Sequence, residues 1–417
     1  MHPYDSSEGQ AWFDQHTHSI RRDDTHAELL INGGASFPVR YRLMAEARHS
    51  IHLQTLVFAP DDTGWLHARL LVAKARGEAF DEPHPYERGA RIAFPAGPPV
   101  QVRVITDQKS NFDAGSDVLS WLEDRGVPVL RYMPDVTTAW HAKMLVVDGQ
   151  TAITGGQNVA SEYAYGGTML IDDSGGSAKI PWRDTDILLR GDIVRDMQWA
   201  FCRSWDRITG DKLMNDRALF PAPEAPGSLP ARFAHQWPRE FNTKSVTNLY
   251  IGAIQNAQRS IRIANAYFIP DERMVWRLVD AVKKRGVSVE ILTNSPESND
   301  FPFMSVASRR SYPTLIEAGV KVYERKGEGV TMHQKVATFD GVASIVGTWN
   351  FDERSARSNS ECAVMVHDGD FATEVETMFR RDLVAAYEVT RGFLDQRDLW
   401  DKLQEAFWGT GVVRDQL

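Results

Sequence analysis

The sequence predicts an α/β protein built of two similar halves, each a mixed sheet flanked by helices, and three observations lead there. One segment of the chain repeats another, β-branched runs of four to eight residues alternate with amphipathic stretches, and the composition is that of an ordinary folded chain. With 417 residues, 42% hydrophobic and 25% charged, the chain has material for more than one core. Its 30 Gly and 20 Pro follow no tripeptide or heptad period, which excludes collagen-like, low-complexity and coiled-coil architectures.

The elements follow from the repeat. Ala47 to Phe58 aligns with Ala257 to Phe268, and Pro60-Asp61 with Pro270-Asp271, at an offset of 210. Each copy then enters a helical stretch, of which Asp271 to Arg285 is the clearer, and a β-branched strand, Val102 to Thr106 in one and Val289 to Thr293 in the other. Gly126-Val127 matches Gly319-Val320, and His141 matches His333 at an offset of 192. The first copy therefore holds extra residues, and the Pro- and Gly-rich stretch from Gly77 to Pro99 reads as an inserted surface loop. Pro221, Pro223, Pro226, Pro230 and Pro238 mark a linker without helical or strand period. The expected division is a first half at 1–208 with a polar N-terminal lead-in, a linker at 209–246, and a second half at 247–417 with C-terminal helices. His16, His18 and His26 are expected in a solvated lead-in rather than a metal cluster. The stripe Leu399, Trp400, Leu403 and Phe407 is expected to dock on the core.

The chemistry lies in a doubled motif. The first copy reads His141-Ala-Lys143, Asp148, Gly155-Gly156 and Asn158; the second reads His333-Gln-Lys335, Asp340, Gly347-Thr348 and Asn350. Chance would supply about 0.03 copies of His-x-Lys-x4-Asp in a chain of this composition, so two copies with matching Gly and Asn offsets carry meaning. A lone buried histidine is ordinarily a satisfied core side chain, and the repeated context weighs against that here. Met144 to Val147 is a continuous apolar run, and a period of two puts His141 and Lys143 on one face, with Asp148 on the other. Asp148 and Asp340 are therefore expected to be structural. Asn158 and Asn350, at the start of helices, suit helix capping as well as ligand binding.

Imidazole, ammonium and amide suit a phosphate diester: the first can attack phosphorus, and the other two meet its non-bridging oxygens. A diester also needs a proton donor for its leaving alkoxide, which the second histidine provides without a metal. The chain has no His-Glu-x-x-His, Cys-x-x-Cys or Walker loop. Cys202 and Cys362 write no disulfide framework. The net charge of −9 gives no global basic field, so nucleic acid is not favoured as a partner.

The paired His-x-Lys-x4-Asp motifs with their Gly-Gly-x-Asn and Gly-Thr-x-Asn tails resemble the phospholipase D superfamily. Asn265 to Phe268, Thr293 to Ser295, and Gly347 to Glu361 are similar to its bacterial cardiolipin synthase branch. The resemblance implies two phospholipase D-like halves related by pseudo-twofold symmetry, a phosphohistidine intermediate and no cofactor. It implies His141 as nucleophile and His333 as general acid and then base, although the reverse assignment fits the same residues. Lys143, Lys335, Asn158 and Asn350 would surround the phosphate. Glu361 and Asp184 match the carboxylates that orient the two histidines in the family; Asp186 is the alternative to Asp184.

The implied substrates are phospholipids, with phosphatidylglycerol as donor and phosphatidylethanolamine as a second candidate. Phe301 and Phe303 follow a polar loop and are candidates for acyl-chain contact. A phospholipase D hydrolase, an antibacterial effector among them, is the nearest alternative. A metal-independent nuclease and a non-catalytic lipid-binding module stand behind it. The acidic, polar N-terminus lacks the order of a signal peptide and no apolar run reaches about 18 residues. A cytoplasmic or peripheral membrane protein of a bacterium is expected, with a protein partner left open.

Overall fold

In the computed structural model the described residues are 3–396, apart from 86, 88, 112–116, 136, 165–181 and 328–330. They form two compact units, one of residues 22–233 and one of residues 1–21 with 234–417.

The two units carry the same sheet. In the first, the strand order is Arg21–Ile31, Thr185–Arg190, Thr151–Gly155, Met144–Val147, Ser50–Thr55, Gln101–Asp107, Val129–Tyr132. Neighbours are antiparallel as far as Ser50–Thr55, which then pairs parallel with Gln101–Asp107, itself parallel to Val129–Tyr132. The second runs Glu361–Val366, Ala343–Gly347, Lys335–Phe339, Ser260–Asn265, Ser288–Asn294, Lys321–Arg325 with the same senses, and ends on an antiparallel strand, Ala386–Glu388. The matched halves expected from the repeat are thus mixed α/β units of one topology.

Local chemistry explains the correspondence. The parallel pairs need a crossover, and helices Asp62–Arg76 and Glu272–Arg285 supply it. Asp61 caps the first by accepting from the Gly64 N–H, Asp271 caps the second from Met274, and Gly77 and Gly286 end them at φ 68° and 70°. In both units a continuously buried apolar strand leads into an Asp-Gly turn: Asp148-Gly149 at φ 55° and 63°, and Asp340-Gly341 at φ 57° and 66°. Positive φ at both central residues is the hairpin turn whose twist matches its strands. The Gln150 N–H closes one turn on the Val147 carbonyl and Val342 closes the other on Phe339.

Three sequence expectations change. Gly77 to Pro99 is not a plain loop, because Phe80–Pro83 pairs antiparallel with Arg91–Phe94. The Phe80 and Phe94 rings stack at 5.4 Å, while Phe80 and Ile92 reach the core. The stretch 209–246 holds the strand Leu229–Gln236 and the short helix Pro238–Phe241, with a longer helix, Ser245–Asn256, beginning before its end. That strand is hidden from a periodicity search because Ala231 to Ala234 are buried in succession and Pro230 sits near its start.

The lead-in is the third difference. Residues 7–17 form a helix capped by Ser6, and residues 1–21 group with the C-terminal half rather than with 22–208. Tyr4 Oη donates to the Ala253 carbonyl at 2.6 Å, and Asn248 donates to the His16 carbonyl. A Cβ on Gly252 would lie 2.3 Å from the Trp12 ring, so glycine there permits close approach of the two helices. His16 stacks on Trp12 at 4.3 Å. The C-terminal stripe from Leu399 to Phe407 lies outside the described residues. Among those described, no helix is long and apolar enough to cross a membrane.

Candidate active site

In the first unit, His141 and Lys143 precede the strand Met144–Val147, and both are buried. The Trp140 N–H donates to Asp107 Oδ2 at 2.8 Å and fixes the approach to the motif. Lys143 Nζ turns back to donate to the His141 carbonyl at 2.9 Å, and Thr154 Oγ1 holds the Lys143 carbonyl from the neighbouring strand. A buried ammonium is costly unless compensated. A phosphate brought to this position would add a negative charge beside it.

Asp148 is occupied by the backbone. Its carboxylate accepts from the N–H groups of Arg48, His49 and Ser50 at 2.8, 2.7 and 2.8 Å, pinning the start of the strand Ser50–Thr55 to the hairpin. Asp340 does the same for Gln258, Arg259 and Ser260 at 2.8, 2.6 and 2.8 Å. Charge-assisted bonds to backbone N–H groups are among the stronger hydrogen bonds in proteins.

Gly155-Gly156 closes the other end of the hairpin against the strand Thr185–Arg190. A Cβ on Gly156 would stand 2.1 Å from Asp184 Oδ1, and one on Gly155 2.3 Å from Asp186 Oδ1. The pair is glycine because two carboxylates occupy that space. Asp184 Oδ1 accepts from the Thr185 N–H. Asp186 Oδ2 binds Arg40 at 2.7 Å and Ser36 Oγ at 2.6 Å in a buried ion pair, so Asp186 holds the turn. Burial pushes its carboxyl up, and the Arg40 guanidinium opposes that shift.

The second motif is built alike with different details. Lys335 Nζ donates to the His333 carbonyl at 2.6 Å and lies 3.0 and 2.9 Å from the two ring nitrogens. Near-equal distances place the ammonium against the ring rather than on either lone pair. Where the first unit has Gly156 beside Asp184, the second has Thr348, whose hydroxyl donates to Glu361 Oε2 and accepts from the Cys362 N–H. Asp184 stands just before the strand Thr185–Arg190 and Glu361 begins the strand Glu361–Val366, the strands that pair with the second strand of each motif hairpin, and both residues are buried.

The two asparagines differ more. Asn158 Oδ1 accepts from the N–H groups of Leu56 and Val57 and from Thr55 Oγ1, and its Nδ2 donates to Tyr163 Oη. In the second unit Asn265 does the bridging, donating to the Trp349 carbonyl and accepting from the Phe351 N–H. Asn350 Oδ1 is buried with no hydrogen-bond partner among the described residues. Asn158→Ala is therefore expected to cost about 2–4 kcal/mol of stability in urea unfolding, because it strands two half-buried N–H groups. Asn350→Ala should instead lower the initial rate about 10- to 100-fold with little change in the unfolding midpoint.

Phe301 is 51% exposed, and Phe303 packs half-buried on Ala266, Tyr267, Ile269, Met304 and Ala307. The Asn265–Phe268 segment places Tyr267 beside His333, the ring centroids 6.1 Å apart at 79°. Tyr267 Oη lies 2.8 Å from each Asp300 carboxylate oxygen. Sequence reasoning gave neither residue a role; the signals at Tyr267 were that Asn265 to Phe268 repeats the segment ending at Phe58 and resembles the cardiolipin synthase branch. Among the described residues no three His, Cys, Asp or Glu side chains gather as metal ligands.

A doubled sheet of this topology with a His-Lys pair at the same place in each copy defines a phospholipase D superfamily enzyme. A family profile described as "Cardiolipin synthase, PLD-like domain" matches residues 95–165 and 250–383, which hold both motifs and Glu361; Asp184 lies between the matched segments. The chain belongs to the cardiolipin synthase-like branch of that superfamily.

It is 29% identical over 396 residues to a cardiolipin synthase of Geobacillus sp. (strain WCH70), covering 92% of this chain and 71% of the relative. A probable cardiolipin synthase of Bacillus subtilis (strain 168) is 28% identical over 411 residues, 94% of this chain and 74% of the relative. Among solved structures, the phosphatidylserine synthase of Haemophilus influenzae Rd KW20 shares the fold with a TM-score of 0.70 at 15% identity, covering 94% of this chain and 95% of that one.

Proposed function

We propose that this enzyme transfers a phosphatidyl group from phosphatidylglycerol to the hydroxyl of a second lipid, forming cardiolipin and releasing glycerol. The observation that supports it best is the presence of an intact His-Lys motif at the same topological position in both sheets, in a chain whose relatives are named cardiolipin synthases over nine-tenths of its length.

In this reading His141 attacks phosphorus, the phosphorus–oxygen bond to the glycerol breaks, and His333 protonates the departing alkoxide. The incoming alcohol then gives its proton to His333 while its oxygen displaces His141. Lys143 and Lys335 draw charge from the non-bridging oxygens, and the Asn350 amide adds a hydrogen bond to them. Asn158 serves the phosphate indirectly by holding Leu56 and Val57 in place. Glu361 and Asp184, each buried beside its own motif, are the carboxylates this reading assigns to setting the histidine tautomers.

The test is mass spectrometry of products from purified protein and phosphatidylglycerol vesicles, repeated with phosphatidylethanolamine. Cardiolipin with free glycerol is expected. Phosphatidic acid as the sole product would overturn transfer in favour of hydrolysis, and an inert protein that cuts an oligonucleotide would overturn both.

A further inference from the structure

The mechanism above leaves one polar pair beside the second motif without a task. Tyr267 follows the strand Ser260–Asn265 by two residues, and Asp300 stands just before the helix Pro302–Ser308. The Tyr267 hydroxyl spans both oxygens of the Asp300 carboxylate at 2.8 Å. One phenolic proton serves one of those oxygens at a time, so the half-buried carboxylate keeps accepting capacity for a ligand. The Tyr267 ring meets His333 edge to face, and Lys335 Nζ lies 5.8 Å from the Tyr267 centroid. The chain continues from Asp300 directly into exposed Phe301 and half-buried Phe303, so the polar pair has an apolar margin on one side.

What this pair would bind follows from charge. A carboxylate repels the phosphate, so it faces the alcohol part of a diester rather than the phosphorus. An ammonium headgroup suits it poorly, because Lys335 already supplies positive charge there. Burial also works against the ionised form of Asp300, while the Tyr267 hydrogen bond and Lys335 favour it. Neutral hydroxyls remain: a carboxyl that accepts and a phenol oxygen that accepts or donates match a vicinal diol.

We propose that Tyr267 and Asp300 form the subsite for a glycerol-type polyol, the alcohol that leaves the diester and the one that replaces it. This rests on the transferase reading, in which His333 handles the proton of both alcohols. In the second step the polyol oxygen bonds to phosphorus, the phosphorus–nitrogen bond to His141 breaks with its electron pair returning to the ring, and the polyol proton passes to His333. The pair beside His333 orients the hydroxyl for that transfer.

The test uses the full chain with phosphatidylglycerol vesicles and added isotope-labelled glycerol or ethanolamine, the label marking phosphatidylglycerol made by exchange apart from the donor, and follows phosphatidyl-transfer products and phosphatidic acid by mass spectrometry. Tyr267→Phe keeps the ring packing and Asp300→Asn keeps the shape; a thermal melt of each checks folding. In both variants the ratio of glycerol transfer to hydrolysis is expected to fall about tenfold, with a raised KM for glycerol and no matching loss with ethanolamine. An unchanged ratio, or transfer and hydrolysis falling together with KM unmoved, would overturn the subsite while leaving the transferase reading intact. If the wild type only hydrolyses, the transferase reading fails, and the subsite is then judged by the preference for phosphatidylglycerol over phosphatidylethanolamine. That preference must shrink in both variants or the subsite fails too. A wild type inert on both lipids overturns both.

Discussion

His141→Ala is expected to abolish phosphatidyl transfer, by about 10⁴-fold or more, because it removes the atom that would bond phosphorus on the proposed covalent route. His333→Ala should cost about 10²- to 10⁴-fold with a natural lipid, the usual worth of general acid–base help. The two are separated by a phospholipid whose leaving group is p-nitrophenol, which departs without being protonated. On that substrate the His333 variant should recover most of its first-step rate and accumulate phosphatidyl-enzyme, while the His141 variant stays inactive. The opposite pattern would exchange the two roles. Combining both substitutions should cost little more than His141→Ala alone, since the residues act in one sequence of steps. Quenched-flow rates with a radiolabelled phosphate read all three outcomes.

The second large effect is on stability. Asp148→Ala removes an acceptor from three backbone N–H groups at 2.7–2.8 Å and leaves alanine at φ 55°. Losing hydrogen bonds to a charged acceptor costs about 1.5–3 kcal/mol each when taken singly. Aspartate and alanine both carry a β-carbon, so the left-handed backbone adds only the small local preference of a short polar side chain for that region. Contributions in one network do not add in full, so a loss of about 3–5 kcal/mol in urea unfolding is expected. Asp148→Asn keeps one carbonyl oxygen and a side chain that tolerates positive φ, and should lose less than half as much. The same pair of substitutions at Asp340 should behave alike. A stable Asp148→Ala protein with normal melting and lost turnover would instead give this carboxylate a part in the chemistry.

Most of the site's framework was legible because duplication writes it twice. Asp-Gly after an apolar run announces the hairpin, Pro-Asp before an amphipathic stretch announces the capped crossover helix, and each signal recurs at its partner's offset. Geometry between distant side chains was not legible. That Gly155 and Gly156 are empty because Asp186 and Asp184 fill their space requires knowing which strands are neighbours. The bridging done by Asn158 in one unit and by Asn265 in the other has no one-dimensional trace, since the shared Asn position hides unequal partners. Tyr267 and Asp300 meet only because the chain returns past the strand end. The missed strand at 229–236 and the hairpin at 80–94 failed for another reason. One is buried on both faces and proline-flanked, and the other is short and split by a Pro- and Gly-rich loop, so neither displays an alternating pattern.

Helix Ser7–Thr17 belongs to a unit whose other residues begin at 234, and that sets an order of events during synthesis. Tyr4 and its acceptor Ala253 are 249 positions apart. At the usual 5–20 residues per second, the N-terminal helix leaves the ribosome about 10–50 seconds before its docking partner exists. Residues 22–233 have all their strands in hand by then and can fold first, while Trp12 and Phe13 wait uncovered. In that interval the two aromatic rings stay in water, and completion of the second unit is what buries Phe13 and packs Trp12 against the core.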